Sequence, residues 1–327
     1  MQPARDAAVL RGLAGFEYFA RYGTRARLAS GWCDWTAAFS GRPDLIGAAP
    51  ARLAAAALPE VAEEPGGTLW LATPVHLSAG LTRVHLEHQG LLQLSAGELA
   101  QLAREFAAAF AGSGFALAPA ACRELLLRAP AALAGLAEEP ARSAGAPLAH
   151  VAPQGAEAAA LRRLAAEIEM WLHNGSLNQE RATRGALPVT TLWLWGAEGG
   201  AGPFVSRAAP LPLVAYGCDA RLAGLMRLEG ASPRALPAQL AGVLQAHAER
   251  VLVVLHVGDE LQEKNAATTA EALLELDSRY LVPALEALSA GRVGQLTLIA
   301  NDRALRVRRL SRLRLWRRAR LGLEGLT

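Results

Sequence analysis

Two apolar runs separated by a long helical segment near the C-terminal end constrain the fold of this chain most strongly. The first run spans residues 250–257 (RVLVVLHV), the helical pattern covers residues 268–288, and the second run is Gln295–Ala300 (QLTLIA). Continuous apolar strands that alternate with helices are typical of parallel sheets covered on both faces. The sequence therefore predicts an α/β fold with a doubly wound, mostly parallel sheet.

The preceding part of the chain predicts a smaller α+β module. Residues 68–77 and 82–88 have strand-like patterns, and Ser95 with Glu98 forms the S-x-x-E capping box of a helix. We expect three segments. Residues 1–68 form the N-terminal part of the α/β core, residues 69–150 an inserted α+β module, and residues 151–327 the main core with an Arg-rich tail.

The positive charge of the chain is concentrated in that tail. Nine arginines and no acid lie from Arg303 to Arg320, so the rest of the chain has a formal net charge of about −6, against +3 overall. In one interpretation the tail contacts nucleic acid, an acidic lipid surface or another acidic partner. In the other, its apolar side packs on the core while its arginines pair with the surplus acids. The acidic remainder favours the second.

The cysteines and the apolar segments indicate the compartment. Cys33, Cys122 and Cys218 are widely spaced and form no C-x-x-C motif, which indicates neither a disulfide framework nor a zinc finger. The sequence shows neither the apolar core of a signal peptide nor an apolar segment long enough to cross a membrane. We therefore expect a cytoplasmic protein in a reducing environment.

Polar residues ahead of the strand-like segment 189–195 are candidates for ligand binding. Asn178, Arg181 and Arg184 follow each other at helical spacing, before the break at Pro188. Guanidinium groups in such an array bind acidic ligands through paired hydrogen bonds. The alternative is a helix end whose polar groups cap the segment. Both interpretations stay open from the sequence.

Two tryptophans and a glycine-rich loop follow the polar residues. Trp193 and Trp195 are two positions apart, so both point to the same face of the strand. Gly196 begins the loop at residues 196–202. Either the tryptophans line a ligand site and the loop holds a phosphate, or they anchor the core and the loop is a surface turn. His256 lies at the end of the next apolar strand, where ligand sites of open α/β sheets occur.

Two segments carry a family resemblance. The stretch AEIEMWLHNGSLNQERATRGALPVTTLWLWGAEG at residues 166–199, together with ATPVHL at residues 72–77, resembles the RpfE-type bacterial regulatory proteins. The second half is similar to archaeal-type, cofactor-independent phosphoglycerate mutases. The similar motifs are WLWG at 193–196, LHVGDE at 255–260, LELD at 274–277 and IAND at 299–302. This resemblance implies an alkaline-phosphatase-like core, in which two divalent cations activate a Ser or Thr nucleophile.

The chain departs from the mutase pattern at most metal ligands. Asp259 fits the first position of the D-E-x-x-H element, but Glu263 stands in place of its histidine. Asn301 and Asp302 replace the D-H pair. Neither the opening D-G motif nor the T-P-N-x-D nucleophile element is found. The resemblance therefore implies a catalytically degenerate pseudoenzyme with no cofactor, which binds a protein partner or a small anionic ligand and has a regulatory role.

The alternative is a metal-dependent phosphomutase or phosphatase with altered ligands. Asp259, Glu263 and Asp302 would then bind Mn, Mg or Zn, since carboxylates suit these ions. Arg181 and Arg184 would hold the phosphate.

Overall fold

The structure is a computed structural model that describes residues 12–28, 31–58, 67–79, 84–130, 138–144, 158–199, 204, 213–246, 248–257, 268–300 and 302–313. The described helices are α1 (Ala14–Tyr22), α2 (Gly31–Phe39), α3 (Pro50–Ala55), α4 (Ala96–Ala109), α5 (Pro140–Ser143), α6 (Ala158–His173), α7 (Ser176–Thr183), α8 (Ala220–Leu228), α9 (Leu240–Val243), α10 (Thr269–Leu276) and α11 (Val282–Ser289). The described strands are β1 (Thr24–Arg27), β2 (Thr68–Ala79), β3 (Val84–Leu91), β4 (Ala116–Pro119), β5 (Leu125–Ala129), β6 (Thr191–Gly199), β7 (Leu213–Tyr216), β8 (Arg250–Val253), β9 (Gln295–Ala300) and β10 (Arg303–Arg308).

These elements confirm a mixed α/β protein, and they divide into two compact units. Unit 1 comprises Met1–Gly47, Pro212–Tyr216 and Ala235–Thr327, and unit 2 comprises Ala48–Leu211 and Gly217–Arg234. The predicted division at residues 68 and 150 stays a prediction.

Unit 2 is built on a five-stranded antiparallel sheet around the long strand β2. One edge of β2 pairs with β5 and then β3, β5 pairs with β4, and the other edge of β2 pairs with β6. Alternation along the strands sends side chains to two apolar clusters. Trp70 packs with residues of α4 and α6, whereas Leu71 packs with α3 and with Trp193 and Trp195 of β6. Side chains of helices thus cover both faces of this sheet.

Unit 1 contains two small sheets and several helices. β1, β10 and β9 form an antiparallel sheet, and β7 pairs with β8 in parallel. A π-helical turn at Asp277–Leu281 joins α10 to α11. The carboxylate of Asp277 accepts hydrogen bonds from the N–H groups of Gly15 and Phe16, both at 2.9 Å. These bonds satisfy donors in the first turn of α1 that have no partner within the helix.

The described strands do not confirm the predicted doubly wound, mostly parallel sheet. β7 and β8 fit that prediction, but β9 pairs antiparallel with β10, and every described pair of unit 2 is antiparallel. The sequence predicts a strand through residue 257, whereas β8 ends at Val253 and is largely half-buried. A continuous apolar run indicates that both faces of a strand are buried. It carries no information about the direction of the neighbouring strand.

The length and composition of the described helices decide whether any of them could span a membrane. None of them combines the length and the apolar composition that crossing a bilayer requires.

Candidate functional site

Asn178 binds three backbone groups that lie close to it in unit 2. Its Nδ2 donates to the carbonyl oxygens of Leu172 and Val189, and its Oδ1 accepts from the N–H of Val189, each at 2.8 Å. These bonds tie α7 to the end of α6 and to the segment that enters β6. The amide therefore has a structural role, and its predicted role in ligand binding stays a prediction.

Arg181 and Arg184 both contact Glu98, the third residue of α4. Arg181 is buried, and its Nη1 lies 2.5 Å from Glu98 Oε1, while Arg184 Nη2 lies 3.0 Å from the same oxygen. Arg181 Nε also donates to the carbonyl of Leu187 at 2.7 Å. Burial raises the pKa of Glu98, but hydrogen bonds from Ser95 and the charge of Arg181 outweigh it and hold the pKa below its usual value. The two predicted anion-binding arginines thus already hold a carboxylate.

We expect Asn178→Ala to destabilise the protein by about 2 to 3 kcal/mol, because two carbonyls and one N–H lose their partner in a part-buried site. Urea denaturation without added ligand measures this loss. Arg184→Ala is the control, since its side chain is about half exposed and such ion pairs contribute less than about 1 kcal/mol. Wild-type stability of Asn178→Ala would show that its amide is not needed for folding.

Trp193 and Trp195 are buried in the cluster between β6, α3 and α8. Trp193 Nε1 donates to the carbonyl of Glu138 and Trp195 Nε1 to Thr73 Oγ1, both at 2.9 Å. Gly196 has a positive φ of 64°, and a Cβ there would lie 2.8 Å from Pro50. The contacts of the tryptophans match the core-anchor interpretation, and Gly196 is needed for a left-handed turn within β6.

The predicted metal set is described only at Asp302. Asp259 and Glu263 lie outside the described residues, and His256 follows β8 in a half-buried position. Asp302 accepts hydrogen bonds from Arg27 Nε at 3.0 Å and Arg303 Nε at 3.3 Å. Its desolvation is outweighed by the Arg27 hydrogen bond and the charge of Arg303, which hold the pKa of Asp302 below its usual value. Two guanidinium groups beside this carboxylate disfavour a cation there, and the predicted role of Asp302 as a metal ligand stays a prediction.

The other described residues also bear on metal binding. Within those ranges, no three His, Cys, Asp or Glu side chains are grouped so that they could hold an ion.

A buried charge cluster in unit 2 contains residues that no sequence motif indicated. We call it the Arg221 cluster, and its members are Glu124, Glu139, Asp219 and Arg221. Arg221 is only 5% exposed, and its Nη2 lies 2.7 Å from Asp219 Oδ2 and 2.9 Å from Glu139 Oε1. Its guanidinium also lies over the ring of Trp195, 5.0 Å from the ring centre. Such contacts are strong where water is excluded.

Helix α8 positions this cluster. Asp219 is its N-cap and accepts hydrogen bonds from the N–H groups of Arg221 and Leu222. Gly224, one turn further on, allows α8 to approach α3 closely, because a Cβ at this position would overlap the carbonyl oxygen of Leu53. An aspartate directly before an apolar helix is a typical N-cap pattern, and this is the sequence signal that could have indicated Asp219.

Glu124 is the unusual acid of the Arg221 cluster. Burial and the charge of Asp219 raise the pKa of Glu124 to about 8, although the charge of Arg221 partly opposes them. Its Oε2 is buried and has no hydrogen-bond partner among the described residues. One guanidinium faces three carboxyl groups, so a neutral Glu124 brings the cluster closer to charge balance. A carboxyl group that titrates near neutral pH is able to give or accept a proton under physiological conditions.

Comparisons with known proteins give no family assignment from sequence. No family model matches the chain. No curated protein matches it either.

Two solved structures are similar to the chain at low identity. One is a cofactor-independent phosphoglycerate mutase from Thermoplasma acidophilum DSM 1728, with 15% identity and a TM-score of 0.37, over 89% of this chain and 81% of that one. The other is the PH0037 protein from Pyrococcus horikoshii, with 10% identity and a TM-score of 0.42, over 89% of this chain and 79% of that one. A cofactor-independent phosphoglycerate mutase is therefore among the structural neighbours of this chain.

Proposed function

We propose that the chain is a phosphoglycerate-mutase-like protein that lacks phosphoryl transfer and acts as a regulatory module binding an acidic partner protein. The proposal rests on one observation: the candidate phosphate-binding side chains already bind groups of the protein itself. Arg181 and Arg184 hold Glu98, and Asn178 binds backbone groups. A phosphate would have to displace a largely buried carboxylate from both guanidinium groups. Leaving that carboxylate buried and unpaired would cost several kcal/mol, roughly 3 to 5.

The surroundings of Asp302 support the same proposal. The alternative, a metal-dependent phosphomutase or phosphatase, needs Asp302 to bind Mn, Mg or Zn together with Asp259 and Glu263. Asp302 instead lies between two guanidinium groups. Repulsion between those groups and a divalent cation opposes metal binding at this oxygen.

An exposed basic surface in unit 1 is the proposed binding surface. It is built on the β1–β10 strand pair and the short 3-10 turn at Arg309–Leu313 that follows it. Its exposed cationic side chains are Arg25, Arg27, Arg306, Arg308, Arg309 and Arg312. β10 alternates as a half-buried strand does, because Leu305 and Val307 are buried while Arg306 and Arg308 are exposed. The first part of the tail therefore packs on the core and still presents its arginines outward.

The side chains beside these arginines favour a protein as the partner. Leu310 is 70% exposed and Leu313 is 58% exposed. Arginine beside exposed apolar side chains is typical of protein interfaces, in which a charged rim surrounds apolar contacts. We propose an acidic segment that also carries apolar residues as the complementary surface.

Metal content and turnover decide between the proposed function and the alternative. We expect protein purified without chelator to hold no stoichiometric Mn, Mg or Zn. We also expect no turnover of 2- or 3-phosphoglycerate and no rise in Tm when these ions are added. Stoichiometric metal together with mutase or phosphatase turnover that Asp259→Ala abolishes would establish the enzyme instead.

Charge reversal tests the binding surface. We expect Arg306→Glu/Arg308→Glu to weaken binding of a fluorescein-labelled peptide rich in Glu and Leu by about tenfold or more, with wild-type binding weaker at high salt. Arg162→Glu/Arg163→Glu is the matched control, because it reverses two exposed arginines on α6 of unit 2. Equal weakening by both double variants, or none by either, would contradict a binding role for the basic surface.

A further inference from the structure

Two cysteines that are distant in sequence meet beside the Arg221 cluster. Cys122 lies in the 3-10 turn Ala121–Arg123 and Cys218 immediately precedes the N-cap of α8, and their thiols are joined by a hydrogen bond. The structure shows no disulfide bond between them. Segments on either side of the cluster therefore bring two sulfur atoms within hydrogen-bonding distance.

The backbone of Cys122 is unusual. Its φ of 66° and ψ of 41° place it in the left-handed region, and it is the one non-glycine residue with a positive φ in the described ranges. This conformation costs a β-carbon-bearing residue on the order of 1 kcal/mol, and such strain is often found at functional positions. Here it occurs at the residue whose thiol meets Cys218.

The two thiols differ in accessibility. Cys218 is exposed, whereas Cys122 is half-buried. The hydrogen bond with Cys218, burial and the nearby carboxylates of Asp219 and Glu124 raise the pKa of Cys122. Because oxidation of a thiol depends on solvent access, the exposed Cys218 is the thiol that an oxidant in solution reaches first.

We propose that Cys122 and Cys218 form a redox-active pair, which hydrogen peroxide or an organic hydroperoxide converts into a reversible intramolecular disulfide. The Cys218 thiolate attacks one peroxide oxygen, the O–O bond breaks, and Cys218 becomes a sulfenic acid with release of water or an alcohol. Cys122 then loses its proton and attacks the sulfenic sulfur, which forms the S–S bond and releases water. Two thiols are oxidised by two electrons, and the peroxide is reduced. A dithiol reductant reverses the reaction by exchange.

The cross-link would act on the Arg221 cluster. Asp219 directly follows Cys218, and Glu124 lies two residues after Cys122. A disulfide would fix the segments that carry these two carboxyl groups. In reducing compartments, disulfides of this kind are transient and serve as redox sensors. This inference is independent of the proposed function.

The experiment uses the full chain, treated with increasing equivalents of hydrogen peroxide and then with a maleimide that labels the remaining thiols. We expect intact mass spectrometry to show loss of two hydrogen atoms and one labelled cysteine, Cys33. Peptide mapping without reductant should identify the Cys122–Cys218 link. The oxidised protein should melt roughly 5 °C or more above the reduced protein, because the link closes a long loop. Dithiothreitol should reverse both changes.

Three single variants sharpen the test. Cys33→Ser removes the partly buried cysteine of unit 1 and should oxidise as the wild type does. Cys122→Ser and Cys218→Ser should show no intramolecular disulfide and no rise in Tm on oxidation. The wild-type peptide map decides the matter even if one variant fails to fold. Separate over-oxidation of the thiols, a link that involves Cys33, or cross-linked dimers alone would overturn the proposal.

Discussion

Glu124→Gln is expected to give a protein that is more stable than the wild type at pH 8 and whose stability depends less on pH. Glu124 has a pKa of about 8 in the folded protein, against 4.5 as its ordinary value. An acid with a raised pKa in the folded state contributes stability below its ordinary pKa, and this contribution is lost as pH rises through the folded value. The wild type should therefore lose up to about 4 kcal/mol of unfolding free energy between pH 4.5 and pH 8. A glutamine cannot ionise, so the variant should escape most of this loss.

Urea denaturation at intervals from pH 5 to pH 8 measures this difference. Glu169→Gln is the control, because Glu169 is exposed on α6 in the same unit. We expect the pH profile of the control to follow that of the wild type, and that of Glu124→Gln to be flatter. If the profile of Glu124→Gln runs parallel to the wild type, Glu124 does not hold its proton near neutral pH.

Arg221→Ala is expected to destabilise the protein by about 3 to 5 kcal/mol at pH 7, because it leaves Asp219 and Glu139 without the guanidinium that they bind. The lost contact with the Trp195 ring adds to the effect. The loss should be larger at pH 8 than at pH 5, since more of the carboxyl groups are then charged. Denaturation in urea at both values measures it.

Arg227→Ala provides the matched control for this variant. Arg227 lies on the same helix, α8, but its side chain is exposed, so its removal should change stability by about 0.5 kcal/mol or less. We expect the double variant Glu124→Gln/Arg221→Ala to lose less unfolding free energy than the sum of the two single-variant changes, because neighbouring charges are coupled. A loss of less than about 1 kcal/mol for Arg221→Ala would contradict a stabilising role for the guanidinium.

Local pattern was enough to predict several elements and one side-chain arrangement. Ser95 and Glu98 predicted the start of α4, and both hydrogen bonds of the capping box are present. The helical pattern at residues 268–288 predicted helical structure where α10 and α11 lie. These predictions succeed because caps and amphipathic faces depend on residues that lie within a few positions of each other.

Strand pairing and the contacts of the candidate site residues depend on residues that lie far apart in the sequence. The run at Gln295–Ala300 was correctly predicted as a strand, but its partner is the antiparallel neighbour β10 rather than a parallel strand. Arg181 was selected as an anion-binding residue from its spacing, and its actual anion is Glu98, from another helix. A guanidinium binds the carboxylate that lies beside it in the folded protein. The spacing of arginines along the sequence does not identify that carboxylate.

By itself the sequence determined the mixed α/β class, the start of α4, and the basic character of the segment that becomes β10. Only the tertiary structure decided which charges are buried together. Glu124, Glu139 and Asp219 come from separate segments and look like ordinary surface acids in the sequence. They become unusual because packing of α8 removes water around Arg221 and places three carboxyl groups near one cation. Desolvation and charge interactions are properties of the assembled site, which is why no local pattern contained them.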